Sequence, residues 1–353
     1  MTRHPLPLLA IFAALACASA SASLPNQLIS PWDTKPVAAS NIPYSCPAAA
    51  PISPDISITG DDDSTDDAVK NAAYSESIKA LNDLASHVVR AADIYRATGS
   101  LSAAACVSSL LSAAAEGHAM TGHMGSELAW KHQNTTLRAA AISYLKARDS
   151  GAIRPEQNSL ILNWMAGIYQ QERLYYEHSH CWKKKCALLG HSGLEVAVAA
   201  MAISIATNDR GVFKWGIDQY RTAVEDIDNR GMLRYDSRGR YALKFHIESA
   251  ASLVQIAEFA QSNNEPLYDY DHGRVHLLIH TVTRGIVDPS PFRAANGAEQ
   301  VLPSPLESWE ISWASVYNGR FPDALTTTLL QQAGPGGSNM WGGDPLDPVI
   351  PGQ

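Results

Sequence analysis

Residues 237–261, SRGRYALKFHIESAASLVQIAEFAQ, carry the clearest helical pattern in the chain. Small and apolar residues recur there at helical spacing, which predicts a helix with one face in the protein core. The residues of that face are Ala242, Phe245, Ser249, Leu253, Ile256 and Ala260.

The start of this helix is basic, although the chain as a whole is acidic. Arg238, Arg240, Lys244 and His246 lie within nine residues, whereas the net charge of the protein is −8. Basic residues often solubilise helix ends, and that explanation stays open. The alternative is that this end faces an anionic ligand, for which Arg supplies a planar pair of donors that matches a carboxylate.

Helical patterns continue on both sides of this stretch, separated by clusters of Gly, Pro, Asn and Asp. Alternating β-branched runs are nearly absent. The sequence therefore predicts an all-α protein, with antiparallel helix pairs in a curved layered array or an incomplete α/α barrel. The predicted helices cover residues 68–97, 101–118, 126–148, 155–178, 191–207, 210–227, 241–262, 270–285 and 306–318.

The ends of the chain differ from this helical body. Residues 1–22 have an early Arg, a short apolar run and small residues that suit signal peptidase, so we expect a signal peptide and a periplasmic or secreted protein. Residues 23–67 are rich in Pro, Ser and Asp and predict an N-terminal arm. The domain proper is placed at 68–325, and the Gly- and Pro-rich residues 326–353 predict a flexible tail. No later segment has the length of a membrane-spanning helix.

Cysteine usage agrees with export. Cleavage of the signal peptide would remove Cys17 and leave four of the five cysteines. Cys181 and Cys186 can close a small loop around WKKK, and Cys46 and Cys106 would then form the second disulfide.

No metal or other cofactor is predicted. The cysteines form no CxxC pair, and the acidic stretch at residues 60–67, GDDDSTDD, lacks the Gly and the terminal Glu of a calcium-binding loop. Acidic groups suit the amino end of a helix, so this stretch is interpreted as a solvated cap before the first helix.

A second segment points to an anion site. In residues 190–192, GHS, His191 precedes an Ala-rich helix and so lies near a helix amino end, where negative charge is favoured. A histidine that merely caps a buried helix start is the structural alternative.

Several stretches resemble the alginate lyase family, the poly(β-D-mannuronate) lyases of bacterial periplasms. Residues 189–192, LGHS, resemble the family's Asn-Asn-His-Ser turn, and residues 206–215, ATNDRGVFKW, resemble the run that follows it. Residues 238–246, RGRYALKFH, resemble its Arg-rich loop and Ala-Leu-x-Tyr-His helix. The similarity extends over about residues 45–325, and Cys46 and Cys106 stand where the family has its disulfide.

This resemblance implies an incomplete α/α toroid with a central cleft and β-elimination on a polyuronate without a metal. One group neutralises the C5 carboxylate, a base removes the C5 proton, and an acid protonates the leaving O4. His191 and Arg238 occupy family positions that handle the carboxylate. Arg240 and Lys244 are expected to bind the substrate.

The sequence departs from the family at the proton-transfer position. The family Tyr is Phe245 here, the turn Asn is Gly190, and a Phe ring cannot transfer a proton. His191 or His246 would then act as the base, with Tyr235 as a substrate-binding residue and a replacement acid.

The sequence is compatible with three functions. The leading one is a periplasmic lyase acting on an alginate-type polyuronate. The second is a catalytically weakened polyuronate-binding protein in exopolysaccharide export or turnover. The third is an inverting glycoside hydrolase that uses two carboxylates, for which the candidates are Glu195, Asp236, Glu248 and Glu307. The expected partner is an anionic polysaccharide rather than nucleic acid, and the expected state is a monomer.

Overall fold

The computed structural model describes residues 27–59, 68–179, 190–302, 307–334, 337–338 and 341–344. The predicted signal peptide, the acidic stretch before the first helix, and Cys181 and Cys186 lie outside these residues. Across the described part of the chain the regular structure is helical, apart from isolated β-bridges. The α-helices are α1 (Ala68–Thr98), α2 (Leu101–Glu116), α3 (Glu127–Ala147), α4 (Pro155–Ser179), α5 (His191–Thr207), α6 (Arg210–Asp226), α7 (Ala242–Gln261), α8 (Arg274–Val287), α9 (Ser290–Asn296), α10 (Ser308–Ile311), α11 (Ala314–Arg320) and α12 (Ala324–Ala333).

The long helices form two layers. The odd-numbered helices pack side by side in chain order, α1 on α3, α3 on α5 and α5 on α7, and the even-numbered helices lie outside them. Helix α5 is central and is buried on all sides, from Gly193 to Ile205. The predicted all-α incomplete toroid is therefore confirmed, and the inner row stays open between α1 and α7.

The inner helices run parallel. At the amino ends of α1 and α3, Tyr74 Oη and His132 Nε2 are 2.8 Å apart, and near their carboxyl ends Asp93 pairs with Lys146. Helices α5 and α7 likewise meet at their first turns. The amino ends of the four inner helices therefore face the same mouth of the toroid. Each of these ends carries a partial positive charge.

Residues 27–59 of the N-terminal arm contain no helix and are firmly attached to the helical body. Cys46 and Cys106 are bonded, which confirms this disulfide and ties the arm to α2. The backbone N–H of Ile29 donates to Asn263 Oδ1 at 2.8 Å, and Asp33 pairs with Arg148. These contacts lie at the carboxyl ends of α3 and α7, so the first part of the arm covers the end of the toroid opposite the mouth, whereas Ile56 pairs with Met124 just before α3.

The C-terminal part of the chain differs from the flexible tail predicted for residues 326–353. Helix α12 continues to Ala333, and Trp341 is only 4% exposed. Residues 341–344, WGGD, form a segment that we call the strap. Gly342 and Gly343 have φ of 77° and 97°, and a Cβ at Gly343 would stand 2.2 Å from Asp93 Oδ2. The glycines that suggest disorder in the sequence thus allow a close approach of the backbone to α1.

None of the helices in the described part of the chain combines the length and apolar content that a bilayer crossing requires.

Candidate active site

His191 is the first residue of α5 and lies at the mouth of the toroid. Its Nδ1 and its backbone N–H are 3.1 Å and 3.3 Å from Asp236 Oδ1, and Ser249 Oγ donates to the other carboxylate oxygen at 2.7 Å. Its Nε2 lies 3.7 Å from Glu248 Oε2, beyond hydrogen-bond distance. Asp236 therefore fixes the ring, and the hydrogen-bonding capacity of Nε2 is not taken up by Glu248.

Phe245 stacks on the imidazole of His191. The ring centroids are 4.2 Å apart and the planes differ by 2°. The sequence placed Phe245 on the core face of α7, but its side chain is partly exposed. Phe245 therefore lines the site, and its ring packs in parallel on the imidazole of His191.

His191 is expected to be a cation at neutral pH. Burial acts to lower its pKa, but the hydrogen bond with Asp236 and the charges of Glu248, Asp236 and Glu195 outweigh burial and raise the pKa to about 9. At pH 7 about 1% of the molecules would then carry a neutral imidazole. Such an imidazolium would lie between the carboxylates of Asp236 and Glu248.

His246, the second histidine predicted to be catalytic, faces away from the mouth. It is fully buried, its Nδ1 donates to the carbonyl of Ala242 at 2.7 Å, and its Nε2 accepts from the backbone N–H of Leu233 at 2.9 Å. Burial lowers its pKa and favours the neutral ring. With both nitrogens engaged, His246 serves to join α7 to the preceding loop.

The basic residues predicted to bind substrate lie beside Phe245. Arg240 Cζ and Lys244 Nζ are 4.8 Å and 5.8 Å from the ring centroid of Tyr241, which is 6.2 Å from that of Phe245. Arg238 is exposed in the loop that leads to α7. The structure thus brings Arg240, Lys244, Phe245 and His191 together in one patch.

Asn296 and Gln300 hold the loop that carries Arg238. Their side-chain amides donate to the carbonyl of Gly239 at 2.9 Å and 3.2 Å. Gly239 has φ of 70°, a conformation that a residue with a Cβ rarely adopts. The arginine therefore extends from a fixed turn.

Tyr235 occupies the space beside Gly190, immediately before His191. A Cβ at residue 190 would stand 2.7 Å from Tyr235 Cδ1 and 3.1 Å from Asp236 Oδ1. Gly190 is therefore required if this ring and this carboxylate are to approach the turn. Tyr235 remains 39% exposed at the mouth.

A buried charged cluster lies beneath His191. Glu248 and Glu195 lie between His191 and Arg138, whose Nη1 is 3.7 Å from Glu195 Oε1. Farther in, Asn134 Nδ2 donates to Glu172 Oε2 at 3.0 Å. Arg138, Asn134 and Glu172 were not predicted, because nothing in the sequence distinguishes them from the other polar residues of α3 and α4.

Glu172 makes the stability of the protein depend on pH. Burial raises its pKa to about 8, although the hydrogen bond from Asn134 and the charge of Arg138 oppose this, whereas its ordinary value is 4.5. Between these values the folded state binds more protons than the unfolded state, so the free energy of unfolding falls as pH rises. Replacing Glu172→Gln should leave stability nearly unchanged below pH 4 and raise it at pH 8.5 by roughly a few kcal/mol, measured by urea unfolding.

The matched control is Glu156→Gln, which removes an exposed carboxylate from the first turn of the same helix. If both variants lose stability with pH as the wild type does, Glu172 is not the titrating group.

The described residues contain no group of three or more His, Cys, Asp or Glu arranged to hold a metal ion.

Comparisons with known proteins agree with this geometry. A model of the alginate lyase family matches residues 29–292, which include His191 and the loop before α7. A polysaccharide lyase of Stenotrophomonas maltophilia (strain K279a) is 28% identical over 85% of this chain and 89% of its own length. An alginate lyase of Azotobacter chroococcum is 28% identical over 69% of this chain and 66% of its own.

Solved structures share the fold. Alginate lyase A1-III from a Sphingomonas species superposes with a TM-score of 0.71 at 15% identity, covering 90% of this chain and 93% of its own. A tyrosine-to-phenylalanine variant of alginate lyase A1-III, solved with a tetrasaccharide, gives 0.75 at 18% identity, with 86% of each chain covered.

Proposed function

Because the chain belongs to the alginate lyase family, we propose that it is an exported lyase that cleaves an alginate-type polyuronate by β-elimination. The single observation that carries this proposal is the placement of His191, whose ring is held by Asp236 and Phe245 at the mouth where the inner helices begin. A fixed cation at such a place is suited to neutralise the carboxylate of a uronate.

His191 would act as the electrostatic partner of the substrate. The imidazolium Nε2–H donates to the C5 carboxylate, which makes the adjacent C–H more acidic by stabilising the negative charge that develops there. A ring that is almost fully protonated at neutral pH is a poor base, so we assign the removal of the proton to another group.

Tyr235 is our candidate for proton transfer. Its ring packs against Gly190, next to His191, and it is exposed enough to meet a substrate. The positive charge of His191 would favour its phenolate, which removes the C5 proton, and the resulting phenol can protonate the leaving O4. His246 is left out of this assignment because both of its nitrogens bond to backbone groups.

Arg238, Arg240 and Lys244 would bind neighbouring uronates. The first two are exposed and the third is partly so, and Arg240 and Lys244 lie against Tyr241, next to Phe245. The amino ends of the inner helices add positive potential at the same mouth. This local charge allows a polyanion to bind although the protein carries a net charge of −8.

We also propose a periplasmic or secreted location. The disulfide between Cys46 and Cys106 supports an oxidising compartment, as does the sequence of residues 1–22. The monomeric state stays a prediction.

A second candidate is a polyuronate-binding protein with weakened catalysis. Phe245 favours it, because the ring stacked on His191 has no hydroxyl that could transfer a proton. A glycoside hydrolase is less well supported, since Asp236 and Glu248 both flank His191 instead of facing each other across an open cleft.

A panel of acidic polysaccharides tests these functions. A lyase forms 4,5-unsaturated ends that absorb in the ultraviolet, a hydrolase forms reducing ends without that absorbance, and a binding protein forms neither. Unsaturated product from polymannuronate or a related polyuronate is expected. No product and no binding with any acidic polymer would remove the proposal.

Arg238→Ala should weaken polyuronate binding several-fold, because an exposed charge contact at the mouth is lost. The affinity of the wild type should also fall as salt is added, since exposed charges are screened. Arg90→Ala is the matched control: Arg90 is exposed on the last third of α1, toward the opposite end of the toroid. An equal loss of affinity in both variants would contradict a direct contact between Arg238 and the polyuronate.

A further inference from the structure

The guanidinium of Arg138 is the buried cation beneath the site. The side chain is fully buried on α3, and none of its three nitrogens has a hydrogen-bond partner among the described residues. The nearest carboxylate oxygen, Glu195 Oε1, is 3.7 Å away. A flexible side chain without directional bonds needs something else to fix its position.

Trp341 of the strap supplies that restraint. Arg138 Cζ lies 5.0 Å from the centroid of the Trp341 ring, a cation–π geometry that is strongest when both partners are desolvated. Trp341 is itself 4% exposed, and its carbonyl accepts from Gln255 Nε2 of α7 at 2.7 Å. The ring therefore closes the interior of the toroid from the end opposite the mouth.

Lys146 and Asp93 anchor the strap. The buried ammonium of Lys146 donates to the carbonyls of Gly342 and Asp344 at 2.8 Å and 3.2 Å. Asp93, the ion-pair partner of Lys146, accepts from the backbone N–H of Asp344 at 2.9 Å. These bonds connect α1, α3 and the strap, so Trp341 is held in one position.

We propose that Arg138 and Trp341 are positioning residues for the reaction: Trp341 fixes the guanidinium of Arg138 beside Glu195 and Glu248, and this buried cation sets the charge beneath His191. Neither residue touches the substrate. The proposal rests on the role of His191 in the proposed function.

The charged groups around His191 determine in which direction its pKa should change. The charges that act most strongly on it are Glu248 of α7, Asp236 of the loop before α7, and Glu195 of its own helix. The other charged groups of the packed elements act on these glutamates or on each other; they are Arg138 and Lys131 of α3, Glu172 of α4 and Lys244 of α7.

Burial raises the pKa of Glu248, and the neighbouring charge of Glu195 raises it further. Without Arg138, Glu248 would lose a neighbouring cation, so its proton uptake becomes more favourable. His191 would then lose part of the negative charge that holds its proton.

Histidine titration by NMR tests this directly, with His191→Gln used to assign the His191 signal. In Arg138→Met the pH at which His191 loses its proton should fall by about one unit or more, a tenfold change in the equilibrium. Trp341→Ala should shift it in the same direction, because water then reaches the charges and weakens their interaction with His191. The alkaline limb of the pH–rate profile should move by the same amount.

Controls separate positioning from stability. Arg138→Lys keeps the charge and Trp341→Phe keeps an aromatic face, so both should titrate like the wild type. Leu329→Ala removes a buried side chain from α12 and should lower the melting temperature without moving the titration.

An unchanged titration in Arg138→Met and Trp341→Ala overturns the proposal, whatever their melting temperatures; if Arg138→Met does not fold, Trp341→Ala decides alone. A shifted titration in a protein that forms no unsaturated product supports the positioning pair and counts against the lyase proposal only.

Discussion

Replacing His191 by Gln should lower the rate of unsaturated-product formation by about 10²–10³-fold, the usual cost of removing one preorganised electrostatic contact from a transition state. Gln can still donate a hydrogen bond to Asp236, so the fold should persist, but it brings no positive charge. The loss should appear mainly in kcat, because the cation is needed most when negative charge develops on the substrate.

The pH dependence of the rate is a second test of this prediction. The pKa of His191 is raised from 6.5 to about 9. The active, protonated form therefore persists through neutral pH and is lost as pH rises through about 9. The stability that His191 contributes is complete below its ordinary pKa of 6.5 and is lost as pH rises from there to about 9. The rate should fall on this alkaline side in the wild type.

His276→Gln is the matched control. His276 is a half-buried histidine whose Nδ1 is 2.7 Å from Tyr317 Oη, on α8 and away from the mouth. A His191→Gln enzyme that keeps its rate while folded would exclude His191 as the neutralising cation.

Phe245→Tyr should be tolerated and should raise the rate of elimination about tenfold or more, within the range that a positioned proton-transfer group supplies. The ring is partly exposed and stacks on His191, so an added hydroxyl can remain hydrated. The nearby imidazolium would favour its phenolate. The measurements are the melting temperature and the rate of unsaturated-product formation.

Phe292→Tyr shows what the same change costs in the core. Phe292 is 1% exposed, so its new hydroxyl would be buried without a partner and should cost about 1–3 kcal/mol. Adding His191→Gln to Phe245→Tyr should remove the gained activity. A stable Phe245→Tyr variant without any gain would contradict the prediction and favour the binding protein.

The positions of the helices could be predicted from the sequence because local residues set them. The predicted limits of the helix at 191–207 coincide with α5, where Asn208 adopts φ of 57° and Asp209 caps the next helix. Such signals lie within a few residues of the boundary they determine.

The faces of α7 could not be predicted in this way. This helix is buried on almost every side, so helical spacing does not separate core from site. His246 proved to be the buried residue and Phe245 the exposed one. Arg138 could not be predicted for the same reason. It lies on a buried helix, and its partners come from other helices and from the strap.

The partners of His191 depend on the tertiary structure. Asp236 is 45 residues away in the sequence, and only the packing of α5 on α7 brings it to the imidazole. Composition misled the prediction for the strap, because Gly-rich stretches also occur where a backbone must pass close to its neighbours.

The strap also affects the order in which the protein can fold. Its contact with Asp93 joins residues 251 positions apart, and its contact with Lys146 joins residues 196 apart. Contacts between such distant residues form late, since the chain between them must first be ordered. The helices would thus assemble around an interior that is still wet, and docking of Trp341 would complete its dehydration. Reversal of this docking is then an early step of unfolding, so the charged centre of the toroid becomes hydrated before the helices separate.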